Sequence, residues 1–346
     1  MTTSTKSFRA IVVDRSPDRQ KDAGSEGGVA ELRTVSDDLL MPASTPGSVA
    51  IDVEYSSLNY KDALALTGRP GIVSSFPLIA GIDLVGRVYS SDTHHWSAGD
   101  LVILNGAGLG ERSHGGFAEH ARVDGKSLVQ LPSGLTSRQA AAIGTAGLTA
   151  QLSVLALERN GVIPASGPVV VTGASGGVGS IAVALLAHRG YRVIASTGRV
   201  ATETDFLRGL GADEVIDREE LGAPGKPLQS ARWAAGVDTV GSHTLANVLA
   251  QTRYGGVVTC CGLAQGADLP ASVLPFILRA VSLVGVNSVD APLKLRENAW
   301  HRLASDLDHD ALDSVTSEIG LGETLEAATQ LLAGTLHGRT VVDVNG

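Results

Sequence analysis

The sequence predicts an α/β protein of two domains, a β-rich outer domain and a doubly wound parallel sheet. Three observations carry this. The chain has 346 residues, more than one ordinary core accommodates. Up to Pro132 it reads as short strands parted by glycine-containing turns, without alternating helices. Beyond Pro132, continuous apolar strands alternate with helical segments, the pattern of a parallel sheet covered on both faces.

The early strand candidates are Phe8–Asp14, Val49–Tyr55, Asp83–Tyr89, Asp100–Leu104 and Phe117–Val123. Val49–Tyr55 alternates apolar and polar residues with the period of a half-buried strand. A long helix is then expected over Thr136–Leu157, with Thr136 or Ser137 as its N-cap. Its apolar part is long enough for a bilayer, but Gly144, Thr145, Gly147, Thr149, Gln151 and Ser153 favour a buried helix. Strands follow at Val169–Thr172, Arg192–Ser196, Glu214–Ile216, Val237–Val240, Gly256–Cys261 and Ser282–Asn287. Helices between them are expected at Val178–His188, Glu203–Leu210, Leu245–Arg253 and Ser272–Arg279. The tail, Pro292–Val344, reads as helix, helix, strand, and Thr340–Val344 is expected to return to the first domain. The expected division is therefore 1–132 for the outer domain, 133–289 for the nucleotide domain and 290–346 for the return.

Composition narrows the partners. A net charge of −9 argues against a nucleic-acid protein, which would present a basic face. The two cysteines, Cys260 and Cys261, are adjacent and cannot staple a fold, which fits a reducing, cytoplasmic setting. Lys6 and Arg9 precede no apolar h-region, so no signal peptide and no membrane partner are expected.

The strongest chemistry lies in Val169-Val-Val-Thr-Gly-Ala-Ser-Gly-Gly-Val-Gly-Ser180, where a strand enters a glycine loop that opens a helix. Glycines at 176 and 177 would let backbone approach a pyrophosphate, and Gly179 would let helix pack close to strand. The helix N-terminus supplies amide N–H groups and a partial positive charge for phosphates. Ala174 stands at the first position of the G-x-G-x-x-G fingerprint, with Gly176 and Gly179 in register.

The end of the next strand distinguishes the two nicotinamide cofactors. An NAD site places an acid there for the ribose 2′-hydroxyl. Here the segment is Ser196-Thr-Gly-Arg199, with no acid. Thr197 and Arg199 offer the hydroxyl and cation that a 2′-phosphate needs, so the expected cofactor is NADPH. The competing reading pairs Arg199 with Glu203 at i+4 on the following helix.

Several further segments occur in order: Ser56-Ser-Leu-Asn-Tyr-Lys-Asp-Ala63, Phe76-Pro-Leu-Ile-Ala-Gly-Ile-Asp83, Gly115-Gly-Phe-Ala-Glu119, Ile143-Gly-Thr-Ala-Gly147, Leu274-Pro-Phe-Ile-Leu-Arg279 and Gly338-Arg-Thr340. Together with the glycine loop they resemble the quinone-oxidoreductase branch of the medium-chain dehydrogenase/reductase family. Within it they resemble the YhdH/YhfP group of NADPH-dependent acrylyl-CoA reductases. The resemblance runs from Phe8 to Val344.

It implies a GroES-like outer domain, a Rossmann domain and a nicotinamide cleft between them. It also assigns cofactor contacts. Tyr60 would meet the nicotinamide end, and Ser175, Gly176, Gly177 and Val178 the pyrophosphate. Thr197, Gly198 and Arg199 would hold the 2′-phosphate, with Arg218 at the adenosine end. Leu263, Val286 and Ser288 would line the nicotinamide side, and Arg339 would close the site. Ala80 replaces the family's proline, and the loop between Ala107 and Gly115 departs from its relatives, which leaves the substrate less defined than the cofactor.

No metal is expected. The chain has no cysteine before Cys260, and Gly81-Ile-Asp83 stands where zinc-dependent relatives carry Gly-His-Glu. His94, His95, His114 and His120 read as solvated or capping residues, Lys61 and Asp62 as a surface or interdomain ion pair, and Asp83 as orienting nearby backbone.

The expected reaction is conjugate reduction of an α,β-unsaturated thioester. Tyr60 is the one ionisable candidate for proton donor, because a phenol is protonated at neutral pH. A packing or cofactor-binding role for Tyr60 stays open, as does a proton from solvent. An NADPH:quinone or enone reductase and a non-enzymatic NADPH-binding protein are the alternatives. A homodimer paired through the edge strand Ser282–Asn287 is expected.

Overall fold

The strand Ser48–Leu58 buries Val49, Ile51 and Val53 and turns Asp52 and Glu54 outward, as its alternation requires. It is the spine of the outer sheet. Arg339–Asp343, Asp83–Ser91 and His120–Asp124 all pair with it antiparallel. The sheet continues through Leu101–Asn105 to Val129–Gln130, and on the other side Thr316–Gly320 runs parallel to Arg339–Asp343. A second, three-stranded sheet orders Gly28–Ser36, Ser7–Arg15 and Leu78–Ile79. Ile51, Leu84, Val102, Leu104 and Phe117 belong to one continuous apolar core. This computed structural model describes residues 6–16 and 27–346. The start of the Met1–Ala10 stretch therefore lies outside the described residues.

The nucleotide domain is a six-stranded parallel sheet. Its order is Glu214–Asp217, Val193–Thr197, Val169–Thr172, Trp233–Asp238, Thr252–Cys260, Ser282–Gly285. This is the strand order of a dinucleotide-binding fold, reversing beside the glycine-loop strand. Its apolar core includes Val170, Ile194, Trp233, Val248 and Val258. The helix expected over Leu245–Arg253 is Ser242–Ala250, and the next strand already begins at Thr252. The fourth strand begins at Trp233 rather than Val237; the low strand propensity of Ala234, Ala235 and Gly236 hides that start in the sequence.

Two compact units result. One comprises Met1–Thr145, Val289–Trp300 and Leu312–Gly346, the other Ala146–Ser288 and His301–Ala311. The first boundary is thus 13 residues beyond the expected one, at Thr145 instead of Pro132. The cause is local. The long helix Ser137–Arg159 is broken at Gly144, whose φ of 51° and ψ of −158° are not helical. A side chain there would begin 2.5 Å from Asp83 Oδ2 and 2.6 Å from Ser57 Oγ. Thr136 caps the helix start, donating to and accepting from the Gln139 side chain and its N–H. Within this helix an apolar window long enough to cross a membrane is 89% buried.

The return segment is also not one piece. His301–Ala311 joins the nucleotide unit, where Asp306 is 3.3 Å from Arg189. The tail holds two helices, Leu293–Asp306 and His309–Ser314, as expected, then the unexpected strand Thr316–Gly320 and helix Thr324–Leu332 before the last strand.

Candidate cofactor and active site

The glycine loop has the geometry its sequence implies. Gly173 has φ +59°, and a Cβ there would lie 2.3 Å from Thr239 Oγ1. Gly179 packs its helix onto the strand, since a Cβ would meet Gly173 O at 2.3 Å. Gly176 is exposed, and only Gly173 O, at 3.2 Å, would face its Cβ. It is the N-cap of Gly177–His188 and brings no capping side chain, so the first amides of that helix point into the loop. Ser175, Gly177 and Val178 are half-buried around it. This cradle fits a diphosphate.

Beside it lies a polar cluster. Ser175 Oγ is 3.0 Å from Thr197 Oγ1, and Arg199 NH2 is 3.4 Å from Ser175 Oγ. The Arg199 N–H donates to Thr197 Oγ1 at 3.3 Å. Arg218 donates its N–H to Thr197 O, and its side chain lies over Gly198, where a Cβ would be 2.5 Å from Nε. Two guanidinium groups and two hydroxyls thus gather around Gly198, a donor set suited to a phosphate monoester. The competing reading is present too: Arg199 Nε is 3.1 Å from the buried Glu203 Oε1.

The residues assigned to the nicotinamide side sit past the carboxyl ends of their strands. Leu263 is exposed, and Val286 is half-buried with its N–H on Cys260 O. Ser288 is buried and accepts from Thr149 Oγ1 at 2.9 Å.

In the outer unit, Tyr60 opens the short helix Tyr60–Leu66 and is 54% exposed. Beneath it is a buried network that sequence reasoning resolved only in part. Asp83 is 0% exposed and accepts from Ser57 Oγ, Asn59 Nδ2 and Asn105 Nδ2, and from both donors of Thr145. Its expected role in orienting backbone fits this geometry. Arg339 is likewise buried. Its Nε donates to Ala142 O, and its NH2 lies near Ser57 Oγ and Asn59 Oδ1.

Lys61 and Asp62 do not pair. Lys61 binds Glu111 at 2.9 Å, while Asp62 is buried and accepts the N–H groups of Asn59 and Ile82. The difference is the helix cap: Asp62 is the third residue of the helix and turns back onto its N-cap. Burial, then the nearby Asp83 charge, pushes the Asp62 carboxyl up to about 7.

Sequence reasoning missed Asn59, Asn105 and Arg296. Arg296, on Leu293–Asp306, is buried and donates to Asn105 O and Ser127 O. Long-range partners of this kind leave no local signal. Of the histidines, His114 accepts the Ile79 N–H through Nδ1, and its burial holds it below the usual imidazole range. His120 sits 2.7 Å from Asp52. Among the described residues no group of three or more His, Cys, Asp or Glu is placed to hold a metal ion.

Two family models match the chain: the alcohol dehydrogenase GroES-like domain over residues 45–133 and the zinc-binding dehydrogenase over 177–307. The acrylyl-CoA reductase AcuI of Ruegeria pomeroyi is 45% identical, over 98% of this chain and 99% of its own. The crystal structure of Escherichia coli K-12 YhdH with bound NADPH superposes with a TM-score of 0.91 at 46% identity, covering 97% of this chain and 100% of its own. Bacillus subtilis YhfP, solved with NAD bound, gives a TM-score of 0.90 at 42% identity over 98% and 100%.

Proposed function

Because the chain belongs to the medium-chain dehydrogenase/reductase family, we propose that it is an NADPH-dependent reductase of α,β-unsaturated thioesters, with acrylyl-CoA reduced to propionyl-CoA. The observation that carries the cofactor is the Ser175–Thr197–Arg199 cluster beside the glycine loop, on a strand end that bears no acid. Kinship with the acrylyl-CoA reductase over nearly the whole chain supports the substrate.

When bound, the reduced nicotinamide supplies the hydride. The residues of this chain do the rest. Amides from Gly176 onward bind the diphosphate, and Arg199, Arg218, Thr197 and Ser175 hold the adenosine phosphate. Backbone N–H groups would stabilise the negative charge that develops on the thioester oxygen. Tyr60 donates a proton from its phenol oxygen to the α-carbon. Ser57, Asn59, Asp83 and Arg339 fix the start of its helix from below.

A homodimer forms through Ser282–Gly285, the last strand in the sheet order. Free Cys260 and Cys261 support a cytoplasmic setting. The test is NADPH oxidation with acrylyl-CoA, crotonyl-CoA and a simple quinone. Turnover of acrylyl-CoA well above the others is expected. Turnover of the quinone alone would make the protein a quinone reductase, and binding without oxidation would make it a non-enzymatic NADPH protein.

A further inference from the structure

Glu203 stands on the first turn of Val200–Gly209, and its carboxylate meets Arg199 Nε at 3.1 Å. The acid's side chain is 3% exposed, the guanidinium's 34%. Exposed i,i+4 pairs are weak and mobile. Here one partner is buried, and an unpaired carboxylate at that depth would be costly, so the contact persists.

Taken from sequence, this pair competes with phosphate binding by Arg199. In space the two are compatible. The carboxylate faces Nε as an ion pair, while NH2 of the same guanidinium points to Ser175 Oγ, 3.0 Å from Thr197 Oγ1. A guanidinium is planar, so fixing Nε fixes the direction of the terminal nitrogens. Arg199 needs such a mount. It is the N-cap of its helix, with φ −128° and ψ 49° and no side-chain cap bond, and ordering a side chain of that length costs rotamer entropy.

We propose that Glu203 is a positioning residue for NADPH selectivity, holding the Arg199 guanidinium against Ser175 and Thr197 so that a 2′-phosphate meets a preformed donor cluster. This rests on the reading that the cluster takes that phosphate. The carboxylate also offsets part of the arginine charge. Orientation and charge therefore act in opposite directions, and an uncharged acceptor separates them.

The test uses calorimetric titration of the full chain with 2′,5′-ADP and with 5′-AMP, which lacks the 2′-phosphate. Glu203→Leu should weaken 2′,5′-ADP about fivefold, the scale of ordering one long side chain, and leave 5′-AMP within about twofold. Glu203→Gln keeps an acceptor for Nε and should bind 2′,5′-ADP at least as well as the parent. Glu203→Asp keeps the charge but shortens the reach. It should behave like Glu203→Leu, and it serves if the leucine variant fails to fold. Equal loss of both probes, or no loss of either, would overturn the role of Glu203. Arg199→Ala is the control on the premise. If it leaves the ratio of the two probes unchanged, the phosphate assignment itself fails. If it collapses the ratio while the Glu203 variants do not, only the positioning role falls.

Discussion

Asp83 receives both donors of Thr145, the hydroxyl at 2.6 Å and the backbone N–H at 2.9 Å, one residue past the helix break at Gly144. The same carboxylate collects Ser57, Asn59 and Asn105, so a single buried acid satisfies four residues from three segments. Asp83→Asn keeps the shape but turns an N–H pair toward those donors and removes the larger of the two carboxylate charges, Asp83 and Asp62, that act on the buried Arg339. Leaving a buried charge uncompensated costs about 3–5 kcal/mol. The expected result is a lower denaturant midpoint, by that order, in the transition of the outer unit. A loss under about 1 kcal/mol would show that the network is incidental to stability.

Asp62 makes stability depend on pH in an unusual direction. Its carboxyl moves from an ordinary 3.8 to about 7 on folding. The folded chain therefore binds more protons than the unfolded chain between those values, and stability falls as pH rises through the window. The contribution is complete below about pH 4 and gone above about pH 7. Each unit of displacement is worth about 1.4 kcal/mol. Glu119 works oppositely: against its partial burial, the hydrogen bonds and charge of Arg9 hold that acid low. The difference between the parent and Asp62→Asn isolates the Asp62 share. Unfolding free energies measured from pH 4 to 8 should decline less steeply with rising pH in Asp62→Asn than in the parent. Parallel curves would mean that Asp62 does not change protonation on folding.

Much of this was legible from local pattern. The alternation of Val49–Tyr55, the apolar run Val169–Thr172 and the glycines that follow encode their structure within a few residues, because pleat and turn sterics act at that range. Thr197 and Arg199 were legible because the distance from a glycine loop to the next strand end is fixed by the βαβ unit. The kink was not. Gly144 sits in a segment of otherwise strong helix formers, and what breaks it is Asp83, distant in sequence. Asp62 misled for the same reason. Next to Lys61 it reads as a surface ion pair, and only the cap geometry and Ile82 bury it. Arg296 has no sequence pattern at all, since its partners are carbonyls of Asn105 and Ser127. Thr316–Gly320 escaped because a short edge strand with polar Thr316, Ser317 and Glu318 lacks an apolar face.

Tyr60 decides whether the outer unit contributes chemistry or only binding. Its ring is exposed at the start of Tyr60–Leu66, so removing the hydroxyl should leave thermal stability within about 0.5 kcal/mol, the scale of an exposed substitution. A change in Tyr60→Phe can then be read as function. If the phenol delivers the α-proton, turnover with acrylyl-CoA should drop at least about tenfold, the low end for a general acid being about a hundredfold when no solvent route competes. KM for NADPH should stay within about twofold, because loss of a group used only in the transition state lowers kcat without weakening cofactor binding. The opposite split, with kcat intact and KM for NADPH raised, would place the hydroxyl on the cofactor and leave solvent as the proton source. Single-turnover rates with saturating NADPH separate the two cases directly, since they remove the cofactor-binding step from the measurement.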